Sequence, residues 1–124
     1  AARPFATPAM VHDVLDALEE AHAAAVAVPV SDTLKEARDG KVIRTVERSS
    51  LWVVQTPQAF RTDALKTVHD KARVDGFVAT DDAQLVERYG GVVRIVEGAR
   101  DNIKLTYAED WRVAEAMVAA SRPD

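Results

Sequence analysis

The apolar residues of this chain change spacing several times, and each change predicts an element. Val11, Val14, Leu15, Leu18 and Ala21 recur at helical spacing behind Thr7-Pro8. Threonine accepts an orphan backbone N–H and proline has none to leave unpaired, so the pair predicts a helix start, with the helix running over about residues 8–24. The apolar run "AAVAVPV" at 24–30 predicts a strand buried on both faces, as in a parallel sheet. "DTLKEARDGKVIRTVER", residues 32–48, holds few side chains for a core. Asp39-Gly40 in its middle is a hairpin turn signal. An isolated two-stranded ribbon is marginal in water. A hairpin with two polar faces either stands out in solvent or embraces a partner, and its marginal stability in isolation favours the partner, hence a dimerisation arm.

Leu51, Trp52, Val53 and Val54 then predict a return to the core. Thr62 is placed to cap a helix carrying Leu65, Val68 and Ala72. Thr80 is placed to cap the next one, with Asp81 and Asp82 suiting its dipole and Gly90-Gly91 stopping it. "VVRIVEG" predicts a further buried strand. Thr106 and Glu109 have the spacing of a capping box before a last helix, with Trp111, Ala114 and Val118 facing inward. Strands separated by helices predict an α/β fold.

Composition narrows the function classes. The 124 residues suffice for one domain and not for two. No cysteine is present, which excludes disulfides, thiolate zinc sites and thiol nucleophiles. The formal net charge of −4 argues against a nucleic-acid partner. No run approaches the ~18 apolar residues of a membrane span, and no signal peptide is visible, so a cytoplasmic location is expected. His12, His22 and His69 show no ligand spacing, so no metal site is expected from them. The glycines form no complete phosphate loop, and no G-x-S-x-G elbow occurs.

What remains is a series of polar clusters at strand ends: "AARP" at 1–4, "SDT" at 31–33, "ER" at 47–48, "QTPQ" at 55–58, "TDDA" at 80–83 and "NIK" at 102–104. Open α/β sheets bind ligands at the carboxyl ends of their strands. The hydroxyls and cations of these clusters suit a phosphate and a polyol. Each cluster also has a plainer explanation. Thr33 can favour a strand, Thr56-Pro57 can mark a strand exit, Thr80 can be an N-cap and Arg48 a solvated charge. Lys104, between Ile103 and Leu105, needs an anion or an exit to water.

Taken in order, "AARPF", "PVSDTLK", "ER..LW..QTPQ.F", "TDDA..VE..G" and "V.G...NIKLT..ED" resemble the C-terminal part of the 2-C-methyl-D-erythritol 4-phosphate cytidylyltransferase family, over essentially the whole chain. The resemblance implies a Rossmann-like nucleotidyltransferase sheet with a projecting β-hairpin arm over about 32–48. It implies transfer of a cytidylyl group from CTP to 2-C-methyl-D-erythritol 4-phosphate in non-mevalonate isoprenoid synthesis. It gives Arg48 and Lys104 the positioning of the acceptor phosphate, Arg3, Thr33, Thr56 and Thr80 further acceptor contacts, and Ala1 a place beside the nucleotide. It implies a homodimer in which the arm carries Thr33 and Arg48 to the neighbouring site. The family's glycine-rich triphosphate loop and its Mg2+-binding aspartate precede the matching region. Residues 1–124 are therefore expected to be part of one catalytic domain and inactive alone. The alternatives are a dimerising module without activity and a transferase for another polyol phosphate.

Overall fold

The structure, a computed structural model, describes residues 2–121. Helix α1 (Pro8–Asp16) and a 3-10 turn at Ala17–Glu19 lead into β1 (Ala23–Pro29). The hairpin β2 (Leu34–Arg38) and β3 (Lys41–Val46) follows, then β4 (Trp52–Phe60). Helices α2 (Thr62–Asp75) and α3 (Asp82–Arg88), strand β5 (Val93–Glu97) and helix α4 (Ala108–Ala120) complete the order.

Strand β1 is the centre of a three-stranded sheet of order β4-β1-β5. It runs parallel to β5 and antiparallel to β4. The apolar run thus lies between two strands and between two helical layers, which is why Ala23 through Ala27 are all buried. On one face Ala23 packs with Val68 and Ala72 of α2 and with Leu85 and Val86 of α3. On the other, Ala24 and Val26 pack with Met10 and Val14 of α1. Helices on both faces of a sheet with a parallel pair make this an α/β fold.

Several boundaries differ from the expectation. Thr7 does cap α1, accepting the Met10 N–H at 3.2 Å, but the helix ends at Asp16 and not near 24. The alanine-rich stretch suits helix by propensity, and burial as a paired central strand overrides it. Arg61, not Thr62, is the N-cap of α2. Asp81, not Thr80, caps α3, its carboxylate accepting the Gln84 N–H at 2.8 Å.

The start of α4 is held by Asp110, not Glu109. Its carboxylate accepts the N–H groups of Thr106 and Tyr107 at 2.7 and 2.8 Å. Those two backbone donors, Tyr107 first, hold the Asp110 carboxyl below its ordinary value. A carboxyl lowered by folding stabilises the folded state above its unfolded pKa and loses that effect as pH falls through the lowered value. The first turn of α4 is therefore expected to loosen on acidification below the ordinary aspartate range, and Asp110→Ala, which removes the acceptor, to open it already at neutral pH. Amide exchange at Thr106 and Tyr107 against pH reads both.

Burial departs from expectation at the edges. Trp52, Val53 and Val54 do not return to the core, because β4 is an edge strand among the described residues, and all three are exposed. Strand β5 is the other edge, and its Ile95 is exposed as well. Of the residues expected inward on α4, Ala114 is buried, while Trp111 and Val118 are exposed. The helix lies along Pro4, Phe5 and Leu105 and leaves an open apolar groove of about 400 Å³ there.

The hairpin forms where Asp39-Gly40 predicts it. Both turn residues have positive φ, 51° and 73°, the left-handed region that suits Asp and Gly. Nearly every residue of β2 and β3 is exposed, and the pair forms a sheet of its own. An Arg44–Glu36 ion pair at 2.6 Å and a Lys35 Nζ bond to Thr45 Oγ1 at 2.6 Å cross the ribbon.

Candidate active site

The site grows from an irregularity in β4. Ala25 pairs with Gln58 while Ala27 pairs with Val54, so Gln55, Thr56 and Pro57 together oppose Val26. This bulge suits a proline, which has no N–H for a ladder. It also turns Gln55 inward, where the side chain is buried, and frees the Thr56 carbonyl from the ladder.

The loop after β5 closes on that bulge. Gly98 donates its N–H to the Ala27 carbonyl at 2.8 Å. A Cβ at Gly98 would stand 2.5 Å from Gln55 Oε1 and against Val26 Cγ1, so only glycine fits the approach. Further along, Asn102 is fully buried. Its Nδ2 donates to the Thr56 carbonyl at 2.9 Å and to Gln55 Oε1 at 3.1 Å. Gln55 Nε2 in turn donates to the Ala99 carbonyl at 2.9 Å. The main-chain carbonyl of Asn102 accepts from Arg3 Nη1, and Arg3 Nη2 reaches the Val54 carbonyl at 3.4 Å. Partial burial pushes the Arg3 guanidinium below its ordinary value. Arginine keeps its charge at neutral pH under such a shift.

Above this network lies a cleft of about 370 Å³, at the carboxyl end of β1. Arg3, Pro29, Ser31, Asp32, Gln55 and Arg100 are among its walls, with Asn102 buried behind them. Arg48 donates its Nη1 to the carbonyl of Ser31, which lines the cleft. Arg100 Nη1 donates to Ser31 Oγ at 3.0 Å, a second cation on the same residue. The turn that delivers Arg48 is pinned by Glu47, whose carboxylate accepts the Ser49 N–H at 2.9 Å. Bonds from Ser49, and after them the Arg48 N–H, hold the Glu47 carboxyl below its ordinary value.

The residues singled out in the sequence fall into three groups. Arg3 lines the cleft, and Arg48 is joined to it through its bond to the Ser31 carbonyl. Thr33 is exposed at the root of the arm, Thr56 is exposed on the bulge, and Lys104 is exposed two residues beyond Asn102. Leu105, next to Lys104, donates its N–H to the Ala2 carbonyl at 2.7 Å and so ties that segment to the one carrying Arg3. Thr80 lies apart, in a hollow of about 540 Å³ with Gln58, His69 and Asp82. Its N–H donates to Gln84 Oε1 at 2.8 Å. Gln58 joins the two places, since its Nε2 donates to the Gln55 carbonyl at 3.3 Å. Ala1 lies outside the described residues. Sequence reasoning missed Arg100 entirely and named Gln55 and Asn102 only as members of polar clusters. A buried amide has no signature in spacing alone.

Residues 1–120 match the family model described as 2-C-methyl-D-erythritol 4-phosphate cytidylyltransferase (IspD). The chain belongs to that cytidylyltransferase family. A family member from Bacillus licheniformis is 49% identical over 121 residues, covering 98% of this chain and 52% of its own length. One from Aquifex aeolicus is 50% identical over 117 residues, covering 94% of this chain and 54% of its own. The crystal structure of the Thermus thermophilus cytidylyltransferase superposes with a TM-score of 0.85 at 41% identity, over 95% of this chain and 58% of that one. The bifunctional IspDF of Campylobacter jejuni superposes with a TM-score of 0.71 at 27% identity, over 90% of this chain and 28% of its own. This chain therefore spans about half the length of the curated cytidylyltransferases it matches.

Proposed function

We propose that the protein carrying this chain transfers a cytidylyl group from CTP to 2-C-methyl-D-erythritol 4-phosphate. An oxygen of the acceptor phosphate attacks the α-phosphorus of CTP. The new P–O bond forms as the bond to the β-phosphate breaks, giving CDP-methylerythritol and pyrophosphate. The identity of about half the residues to curated cytidylyltransferases along nearly the whole chain carries this reading.

In this reading the cleft at the end of β1 receives the acceptor. Such a reaction brings two anions together, so catalysis is mainly positioning and charge neutralisation. Arg48 and Lys104 hold the acceptor phosphate. Arg3, Thr33, Thr56 and Thr80 bind the rest of the acceptor, and Ala1 lies beside the nucleotide. The exposed hairpin is a dimerisation arm, by which Thr33 and Arg48 serve the neighbouring subunit. The chain is the C-terminal part of one cytoplasmic catalytic domain and is inactive without the remainder. The resemblance also implies Mg2+. No group of three or more His, Asp or Glu side chains placed to hold a metal occurs among the described residues, so these residues do not by themselves fit the ion.

The test uses the full-length protein with CTP, 2-C-methyl-D-erythritol 4-phosphate and Mg2+, read by pyrophosphate release. Release that depends on both substrates is expected. Release with a different polyol phosphate and none with this acceptor would overturn the assignment.

A further inference from the structure

Asn102 is the most completely buried polar residue described, and its Oδ1 has no hydrogen-bond partner. An unpaired buried oxygen destabilises a fold, so an amide here is unfavourable unless its other groups are needed. The residue ties two other segments to its own. Nδ2 holds the bulge through Gln55 Oε1 and the Thr56 carbonyl. The main-chain carbonyl holds the Arg3 guanidinium. Two residues further along the same backbone stands Lys104. The amide cannot be turned over, because the Thr56 carbonyl accepts and must face Nδ2. Gln55 is fixed in the same way by the Ala99 carbonyl.

We infer that Asn102 is a positioning residue. It sets the distance between Arg3, the Thr56 bulge and Lys104, and so shapes the acceptor pocket without touching substrate. The inference rests on the function proposed above. Small misplacements of groups around a reacting centre are costly even when made from a distance.

The experiment is steady-state kinetics of the full-length protein with Asn102→Ala, Gln55→Ala and the double variant. Asn102→Ala is expected to raise the KM for the polyol phosphate by about tenfold or more, with the KM for CTP changed less than about twofold. Because the Asn102 side chain acts through Gln55 and the bulge, the double variant is expected to be little worse than the poorer single one. Asn102→Ser, which keeps a hydroxyl donor towards Thr56, is expected to recover part of the loss and takes the place of the alanine variant if that one does not fold. Multiplying effects in the double variant, equal changes for both substrates, or wild-type kinetics would each overturn the positioning role. Loss of the fold in both Asn102 variants would assign the residue to stability alone and overturn it too. Wild-type protein assayed alongside separates the two readings. No turnover from it removes the proposed function, whereas normal wild-type turnover with any of the overturning results removes only the role of Asn102.

Discussion

Alanine at Arg48 or at Lys104 in the full-length protein is expected to lower cytidylyl transfer by about 10²–10³-fold, the range seen when one charge-stabilising donor is removed from a transition state. The fold should survive both changes. Both side chains are exposed, and Arg48 gives up only its bond to the Ser31 carbonyl. Exposed substitutions of this kind usually shift stability by less than ~0.5 kcal/mol. The pair also tests the arm. Arg48 lies just past β3 at the root of the hairpin, while Lys104 lies in the loop after β5. If the arm reaches across a dimer, a mixed dimer of the two variants has one doubly altered site and one intact site. Random mixing should then restore about a quarter of wild-type activity. If each subunit serves its own site, mixing restores nothing, and the arm assignment fails.

Gly98→Ala is expected to cost about 3 kcal/mol, at the upper end of overpacking penalties. The added methyl meets Val26 in the middle of β1 and Gln55 in the bulge at the same time. Val26 is fully buried between α1 and the sheet and has no room to give. Gln55 can yield only by breaking its bonds to Ala99 and Asn102. Denaturant unfolding of the full-length protein reads the loss as a lower midpoint at unchanged slope. Val74→Ala, on the open face of α2 at 85% exposure, is the control and should leave the midpoint in place. A wild-type midpoint for Gly98→Ala would mean that the loop does not close on the bulge as described.

Much of the fold was legible because local chemistry and tertiary packing agree. The continuous apolar run became the central strand, Asp39-Gly40 became the hairpin turn, and Thr7-Pro8 began a helix. The misreadings occur where the two compete. Residues 17–24 suit helix by composition, yet pairing on both sides of β1 claims Ala23 and Ala24 for the sheet. At three helix starts several neighbouring residues offered an oxygen or a helical end, and backbone geometry chose Arg61, Asp81 and Asp110. Trp111, Val118 and Trp52 read as core because apolar periodicity reports a face and not what covers it.

The site was legible in part for the same reason. Polar clusters at strand ends marked the right segments, since a cation or hydroxyl beside a buried strand needs an explanation. The Gln55–Asn102 contact joins residues 47 positions apart, and no local pattern encodes it. It depends on a bulge that appears only once β4 is paired with β1. Arg100, in an exposed loop, carries no local signal, and its place at the cleft follows only from that loop folding back onto Ser31.

The central claim is that the cleft at the carboxyl end of β1 receives the acceptor phosphate between cations of separate segments. A crystal structure of the full-length protein with 2-C-methyl-D-erythritol 4-phosphate tests it most directly. The account predicts the phosphate within hydrogen-bond distance of Lys104 and of an Arg48 guanidinium, with the polyol beside Arg3 and Thr56. A phosphate bound elsewhere, such as the groove lined by His22 and Lys71 beyond the opposite end of β1, would contradict it.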